Sequence, residues 1–175
     1  MKVKDNKGFS LIEIIITLAL MGIITSISVS LYSSLSNSKV KSATTELNDQ
    51  LSNARTNTMS KKGAWSLTVS NDNGKYYATI YRDMGAEVHK YEEIVLGSES
   101  DISIKVEKMT ELASGSYNTM WTELSSGSSV TMMYNSGSGA CMKNVDYYVT
   151  GFEITNSKLT KKIVIAKSTG KHYIE

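Results

Sequence analysis

Apolar residues crowd the start of the chain and then settle into two successive periodicities. Residues 1–8 are short and polar, with Lys2, Lys4 and Lys7 against Asp5. From Phe9 the chain turns oily, through Leu11, Ile12, Ile14, Ile15, Ile16, Leu18, Leu20, Met21, Ile23 and Ile24, and serine dilutes the run up to Leu35. As a helix, residues 9–35 would extend roughly 40 Å, enough to cross a bilayer. The lysines on the N-terminal flank predict a single pass with Met1 in the cytoplasm and the remainder outside. Beyond residue 39 the chain is polar, but Val40, Ala43, Leu47, Leu51, Ala54 and Thr58 recur at steps of three or four. That is one apolar stripe on a soluble helix. No glycine lies between Gly22 and Gly63, so one helix is expected over residues 9–60, roughly 75–80 Å long. Lys61, Lys62 and Gly63 would end it.

After Gly63 the period falls to two. Residues 65–69 and 76–81 alternate about the turn sequence Asn71, Asp72, Asn73, Gly74, which predicts a β-hairpin. Further strands are expected at 88–96, 102–106, 130–134, 145–155 (one strand, or two bent at Gly151) and 159–166, with a short last strand after Thr169 and Gly170. Residues 109–129, rich in Ser, Gly and Thr around Trp121, read as a long loop holding at most a short helical turn. The predicted fold class is α+β. A long N-terminal helix, membrane-spanning in its first half and amphipathic in its second, packs against an antiparallel β-sheet domain of about seven strands joined in sequence by short turns. The expected divisions are 1–8, a basic leader; 9–35, the apolar half of the helix; 36–62, its amphipathic half; and 63–175, an extracellular β-rich domain.

Charge sharpens this picture at one residue. Glu13 is the only charged side chain between Phe9 and Leu35. An acid in a lipid-facing helix costs about 2–3 kcal/mol at mid-bilayer and less near an end. Either Glu13 lies shallow enough to reach water, or it has a cationic partner. Cleavage between Gly8 and Phe9 would create such a partner, an α-amino group one helical turn from Glu13 or within reach of Glu13 on a neighbouring copy. The 175-residue chain carries a formal charge of +2, and the leader's three lysines less Asp5 account for it, so the remainder sums to about zero. Overall positive charge is therefore no basis for holding nucleic acid. Cys141 is the only cysteine, which rules out an internal disulfide. A conventional secretory signal is disfavoured, because no small-residue cleavage site follows the apolar run.

The segment Gly8-Phe9-Ser10-Leu11-Ile12-Glu13, with its basic leader and following apolar helix, resembles the processing motif of type IV pilins and of the pseudopilins of type II secretion and competence systems. The resemblance implies a pilin-like fold and a precursor cut after Gly8 by a membrane-embedded prepilin peptidase. It implies N-methylation of Phe9 and a role for Glu13 in filament assembly. The implied partners are that peptidase, the cytoplasmic membrane and other pilin or pseudopilin subunits. The implied destination is an extracellular or periplasmic filament. One departure is that many relatives have proline where this chain has Ser30; no proline occurs anywhere, so local loosening would fall to Gly22 or to Ser28 and Ser30. Two weaker echoes point to the minor pilins and minor pseudopilins: Leu51-Ser52-Asn53-Ala54-Arg55 at the helix end, and Thr169-Gly170 before the last strand. Many pilins of outer-membrane bacteria staple their C-terminal loop with a disulfide, which this chain cannot do.

Little else suggests chemistry, and no catalytic residue, cofactor or metal site is predicted. Cys141 with His172 and Asp146 would be a nucleophile–base set without local support. His89 and His172 lack further ligands at metal spacing. Glu92 and Glu93 face opposite ways on a strand. The turn at residues 71–74 lacks the later acidic ligands of a calcium loop, and residues 136–139 lack the lysine of a phosphate loop. Charge does segregate: Glu87, Glu92, Glu93, Glu99, Asp101, Glu107 and Glu111 lie in one stretch, and Lys158, Lys161, Lys162, Lys167 and Lys171 in another. Solvated faces are the default reading, and opposite patches meeting across subunits are a second. A third makes the basic stretch a DNA-binding patch of a competence minor pilin. Tyr147, Tyr148 and Tyr173 fit strand packing better than base stacking. An unrelated single-pass anchored protein is the remaining alternative, and it would retain Met1.

Overall fold

The structure, a computed structural model, describes residues 10–175, apart from the side chains of residues 27–33. The chain divides into two compact units, one ending at Ser36 and one spanning Asn37–Glu175. Helix α1, Leu11–Ser60, contributes residues to both.

In the first unit, Leu11, Ile12, Ile14, Ile15, Ile16, Leu18, Leu20, Met21, Ile23 and Ile24 are all exposed, on every side of the helix. Its hydroxyls turn back on their own backbone: Thr17 Oγ1 donates to Ile14 O at 2.9 Å, Ser26 Oγ to Ile23 O at 2.8 Å, and Thr25 Oγ1 to Met21 O. Such bonds satisfy a polar group without a partner from outside the helix. Among the described residues no helix is long and apolar enough to cross a membrane. Of the expected crossing segment 9–35, Phe9 and the side chains of 27–33 lie outside the described residues. The described side chains up to Ser26 include Glu13 and fall short of the ~20 apolar residues a crossing takes.

The second unit forms around the predicted stripe. Val40, Ala43, Leu47, Leu51 and Ala54 are each fully buried and Thr58 nearly so, because steps of three and four hold them on one side of α1. They share one core with Leu67, Val69, Ile80, Ile104, Val106, Phe152, Ile154 and Ile163 from the strands. The helix ends at Ser60, and its last turn holds no basic residue. Lys61 instead lies 5.3 Å and 5.2 Å from the ring centres of Trp65 and Tyr91, a cation–π arrangement that packs the helix exit against the first strands.

The strands are β1 (Ala64–Asp72), β2 (Lys75–Asp83), β3 (Val88–Ser98), β4 (Ser103–Glu111), β5 (Tyr117–Glu123), β6 (Ser129–Met133), β7 (Tyr147–Thr155), β8 (Thr160–Ile165) and β9 (His172–Ile174). They form two antiparallel sheets, ordered β3-β2-β1-β6 and β5-β4-β7-β8-β9. The β1–β2 hairpin closes at Asp72 and Lys75, with Asn73 at φ 50° and Gly74 at φ 77°. Two left-handed residues in succession are what a two-residue hairpin turn demands, and Asn-Gly supplies them at least steric cost.

Three expectations need correction. There are nine strands among the described residues rather than about seven, and they lie in two sheets. Wiring by sequential hairpins fails where β6 pairs with β1 and β7 with β4; alternation along a strand reports its buried face and is silent about its neighbour. The expected loop 109–129 holds the end of β4 and all of β5. β5 is an edge strand with hardly any buried side chain, so no inward-facing apolar series marks it. The segment expected at 145–155 is the one strand β7, beginning at Tyr147; its register against β4 shifts between Glu107, opposite Gly151, and Lys108, opposite Val149, a β-bulge that leaves out Thr150, next to the expected glycine.

Candidate processing and assembly site

Gly8 and Phe9 lie outside the described residues. Glu13 is exposed in the first turn of α1. Its backbone N–H donates to Ser10 O at 3.0 Å, and the Ile14 N–H reaches the same carbonyl at 3.2 Å. With the helix beginning at Leu11, Ser10 stands at the N-cap and Glu13 at the third helical position. That Ser-x-x-Glu spacing is the sequence signature of a capping box, a signal that the chain itself carries at Ser10 and Glu13. A carboxylate there also faces the positive end of the helix dipole. So Glu13 marks the start of the helix and is the only acid among the exposed isoleucines and leucines that follow.

The basic residues of the C-terminal stretch do not converge on one face. Lys161 and Lys162 are successive residues of β8 and point to opposite faces of the sheet. Lys162 bridges to Glu153 at 3.4 Å and stands 5.4 Å from the Trp121 ring centre. Glu153 also holds Lys105 at 3.2 Å. Lys167 lies 3.9 Å and 4.7 Å from the ring centres of Tyr117 and Tyr148, and hydrogen bonding to Tyr117 holds its ammonium above the usual lysine range. Lys158 sits in the turn between β7 and β8, and Lys171 just before β9. From the acidic stretch, Asp101 takes Lys39 at 2.7 Å and Glu93 takes Lys90 at 2.6 Å.

The two weaker echoes, Leu51–Arg55 and Thr169-Gly170, meet in space. Arg55 Nε lies 3.1 Å from Thr169 O and 3.3 Å from Gly139 O, so the helix end holds both the β8–β9 turn and the glycine-rich tip before Cys141. The Cys141 N–H donates to Lys167 O at 3.0 Å, tying the same two loops together. Cys141 itself is buried, and desolvation pushes its thiol up to about 11. That opposes the low pKa a nucleophilic thiolate needs. His172 Nε2 is engaged with α1, 2.9 Å from Ser52 Oγ and 3.2 Å from Asn48 O. His89 faces Glu87 at 3.3 Å. Among the described residues no group of three or more His, Cys, Asp or Glu side chains is placed to hold a metal ion.

No curated protein and no solved structure matches the chain. Residues 3–29 match the model of the prokaryotic N-terminal methylation motif, a span containing Gly8, Phe9 and Glu13. The chain therefore carries the signature of type IV pilins and pseudopilins at the start of α1.

Proposed function

We propose that the chain is the precursor of a filament subunit, cut between Gly8 and Phe9 and N-methylated on Phe9. The apolar half of its helix is held in the cytoplasmic membrane, with the N-terminus inside, until assembly. It then packs with the same segment of other subunits, and the Glu13 carboxylate meets the α-ammonium of a neighbouring Phe9. The observation that carries this reading is the motif match over residues 3–29. The exposed Leu and Ile side chains of the first unit support it, because surface of that kind needs lipid or protein to cover it. The pairing would set register: a subunit docked out of step leaves a charge unmatched in apolar surroundings, at about 3–5 kcal/mol.

Two measurements test this. Intact mass of the protein recovered from membranes should show loss of residues 1–8 and one methyl group; a species beginning at Met1 would overturn the proposal. Glu13→Val should still be inserted and cleaved, yet enter filaments on the order of a hundredfold less, the equivalent of about 3 kcal/mol. Incorporation at the native level would refute the pairing and leave processing untouched.

A further inference from the structure

The strands β3, β6, β5 and β9 end the two sheets, and three of these edges are blunted. β3 carries His89, Lys90, Glu92 and Glu93 and two register shifts against β2. β6 has only 5 residues and β9 only 3. Charge, bulges and shortness are what keep a sheet edge from taking on another strand. β5 has none of them. Its 7 residues hold no proline and no charge before Glu123, and its register runs unshifted from Tyr117 opposite Glu111 to Glu123 opposite Lys105. Just beyond its two ends, the Leu112 N–H donates to Ser116 O and the Leu124 N–H to Ile104 O, each at 2.9 Å. Hydrogen-bonded and non-hydrogen-bonded pairs alternate along an antiparallel ladder, so Asn118, Met120 and Thr122 turn their backbone groups toward β4. The N–H and C=O groups of Tyr117, Thr119, Trp121 and Glu123 then point to the open side, where the sheet has no further strand.

We propose that this edge pairs with the same strand of a second copy, antiparallel about a twofold axis at Met120. In that register Tyr117 falls opposite Glu123 of the second copy and Thr119 opposite its Trp121, so every outward backbone group of both strands finds a partner. A register two residues away leaves either Glu123 or Tyr117 outside the pairing. Charge favours the same choice. The Lys167 ammonium stands 3.9 Å from the Tyr117 ring centre, so the incoming Glu123 carboxylate meets a cation there, and the symmetry repeats the contact at the other end of the strand. On the opposite face of the sheet Met120, 61% exposed, packs on its own counterpart. One such ribbon is marginal in water, so free second units stay apart. Chains confined to one membrane meet at effective concentrations on the order of millimolar, and the inference rests on the anchoring proposed for residues 9–35. The pairing belongs to that membrane-held stage.

The full chain is reconstituted in phosphatidylcholine vesicles and oxidised, and disulfide-linked dimer is followed over time. The native chain, whose only cysteine is buried, should stay unlinked. Met120→Cys should link, because residues facing each other in a non-hydrogen-bonded pair lie within disulfide reach. Asn118→Cys lies on the same face and is also exposed, but its counterpart would stand about 14 Å away along the strand. It should link about tenfold more slowly. Adding Thr119→Pro to Met120→Cys removes an N–H that points to the second copy and none that points to β4. The chain should keep its circular dichroism spectrum while linking slows on the order of tenfold. Equal rates at positions 118 and 120 would report collision alone and overturn the pairing, as would a rate at position 120 that Thr119→Pro leaves unmoved. Alkaline extraction of the same vesicles separates the two layers. A chain that washes out fails the anchoring and the pairing together, whereas a retained chain with equal rates fails the pairing alone.

Discussion

Gly170 has a backbone φ of +64°, and a Cβ there would run into the Gly139 carbonyl and stand 3.0 Å from the Tyr134 ring. Both penalties fall on the one residue that lets the β8–β9 turn close against the glycine-rich tip. Gly170→Ala should therefore cost about 2–4 kcal/mol, read as a fall of several degrees in the melting temperature of the second unit. Arg55 grips the same turn through a guanidinium nitrogen shared between two carbonyls. Lysine keeps the charge but has a methylene where arginine has the donating Nε, so Arg55→Lys should cost about 1–2 kcal/mol. If both variants melt like the native chain, the two loops are not held by this contact. Where a disulfide is impossible, this noncovalent grip is the available fastening for the C-terminal loop. Acid acts at another residue. Hydrogen bonding to Lys39 holds the Asp101 carboxyl below the usual range, so its contribution is complete above the ordinary carboxylate pKa of about 3.9 and disappears as pH falls through the lower folded value. An NMR titration should show the Asp101 midpoint rising toward the ordinary value in Lys39→Gln; an unmoved midpoint would discount the pair.

Among the elements, α1 is where sequence and structure agree most closely. The spacing of Val40, Ala43, Leu47, Leu51 and Ala54 is the spacing of its buried face. Removing one of these side chains leaves a hole that rigid strands cannot fill. Leu51→Ala should cost about 2–5 kcal/mol, seen as a lower urea midpoint with an unchanged slope; a cost below 1 kcal/mol would mean that the site collapses around the smaller residue. The β1–β2 hairpin was equally legible, because Asn73 and Gly74 dictate their turn locally. β5 was hidden because local rules had nothing to act on. Its Tyr117, Thr119 and Trp121 suit a strand, but at a sheet edge they face out, and Ser and Gly on either side imitate a loop. The pairings β1–β6 and β4–β7 were hidden for another reason: they join residues far apart in sequence, and only the packing of the whole core selects them. Glu13 stands out in the sequence as the lone charge of its segment, while its place at the third helical position is legible only when Ser10 is taken as the cap. The meeting of Arg55 with Thr169 and Gly139 left no trace in the sequence beyond two short echoes, since nothing local relates a helix end to turns so much later in the chain.

At the scale of the whole molecule, the buried core draws no member from before Val40 among the described residues, and the described large side chains from Leu11 to Ile24 are exposed. Each such leucine or isoleucine would gain about 1.5–3 kcal/mol by leaving water, so the first unit needs a cover that the second does not. The second unit is large enough to stand alone, since domains of about 100–150 residues fold independently as a rule. A fragment comprising Asn37–Glu175 should therefore be soluble without detergent and monomeric. It should unfold in one cooperative transition, with circular dichroism and tryptophan fluorescence giving the same midpoint, because Trp65 sits in the core and Trp121 on the sheet face. The full chain without detergent should instead self-associate through its first unit. Two separate transitions in the fragment, or a need for detergent to keep it in solution, would mean that residues before Asn37 complete the core, and the division into an anchor and an independent folded body would have to be abandoned.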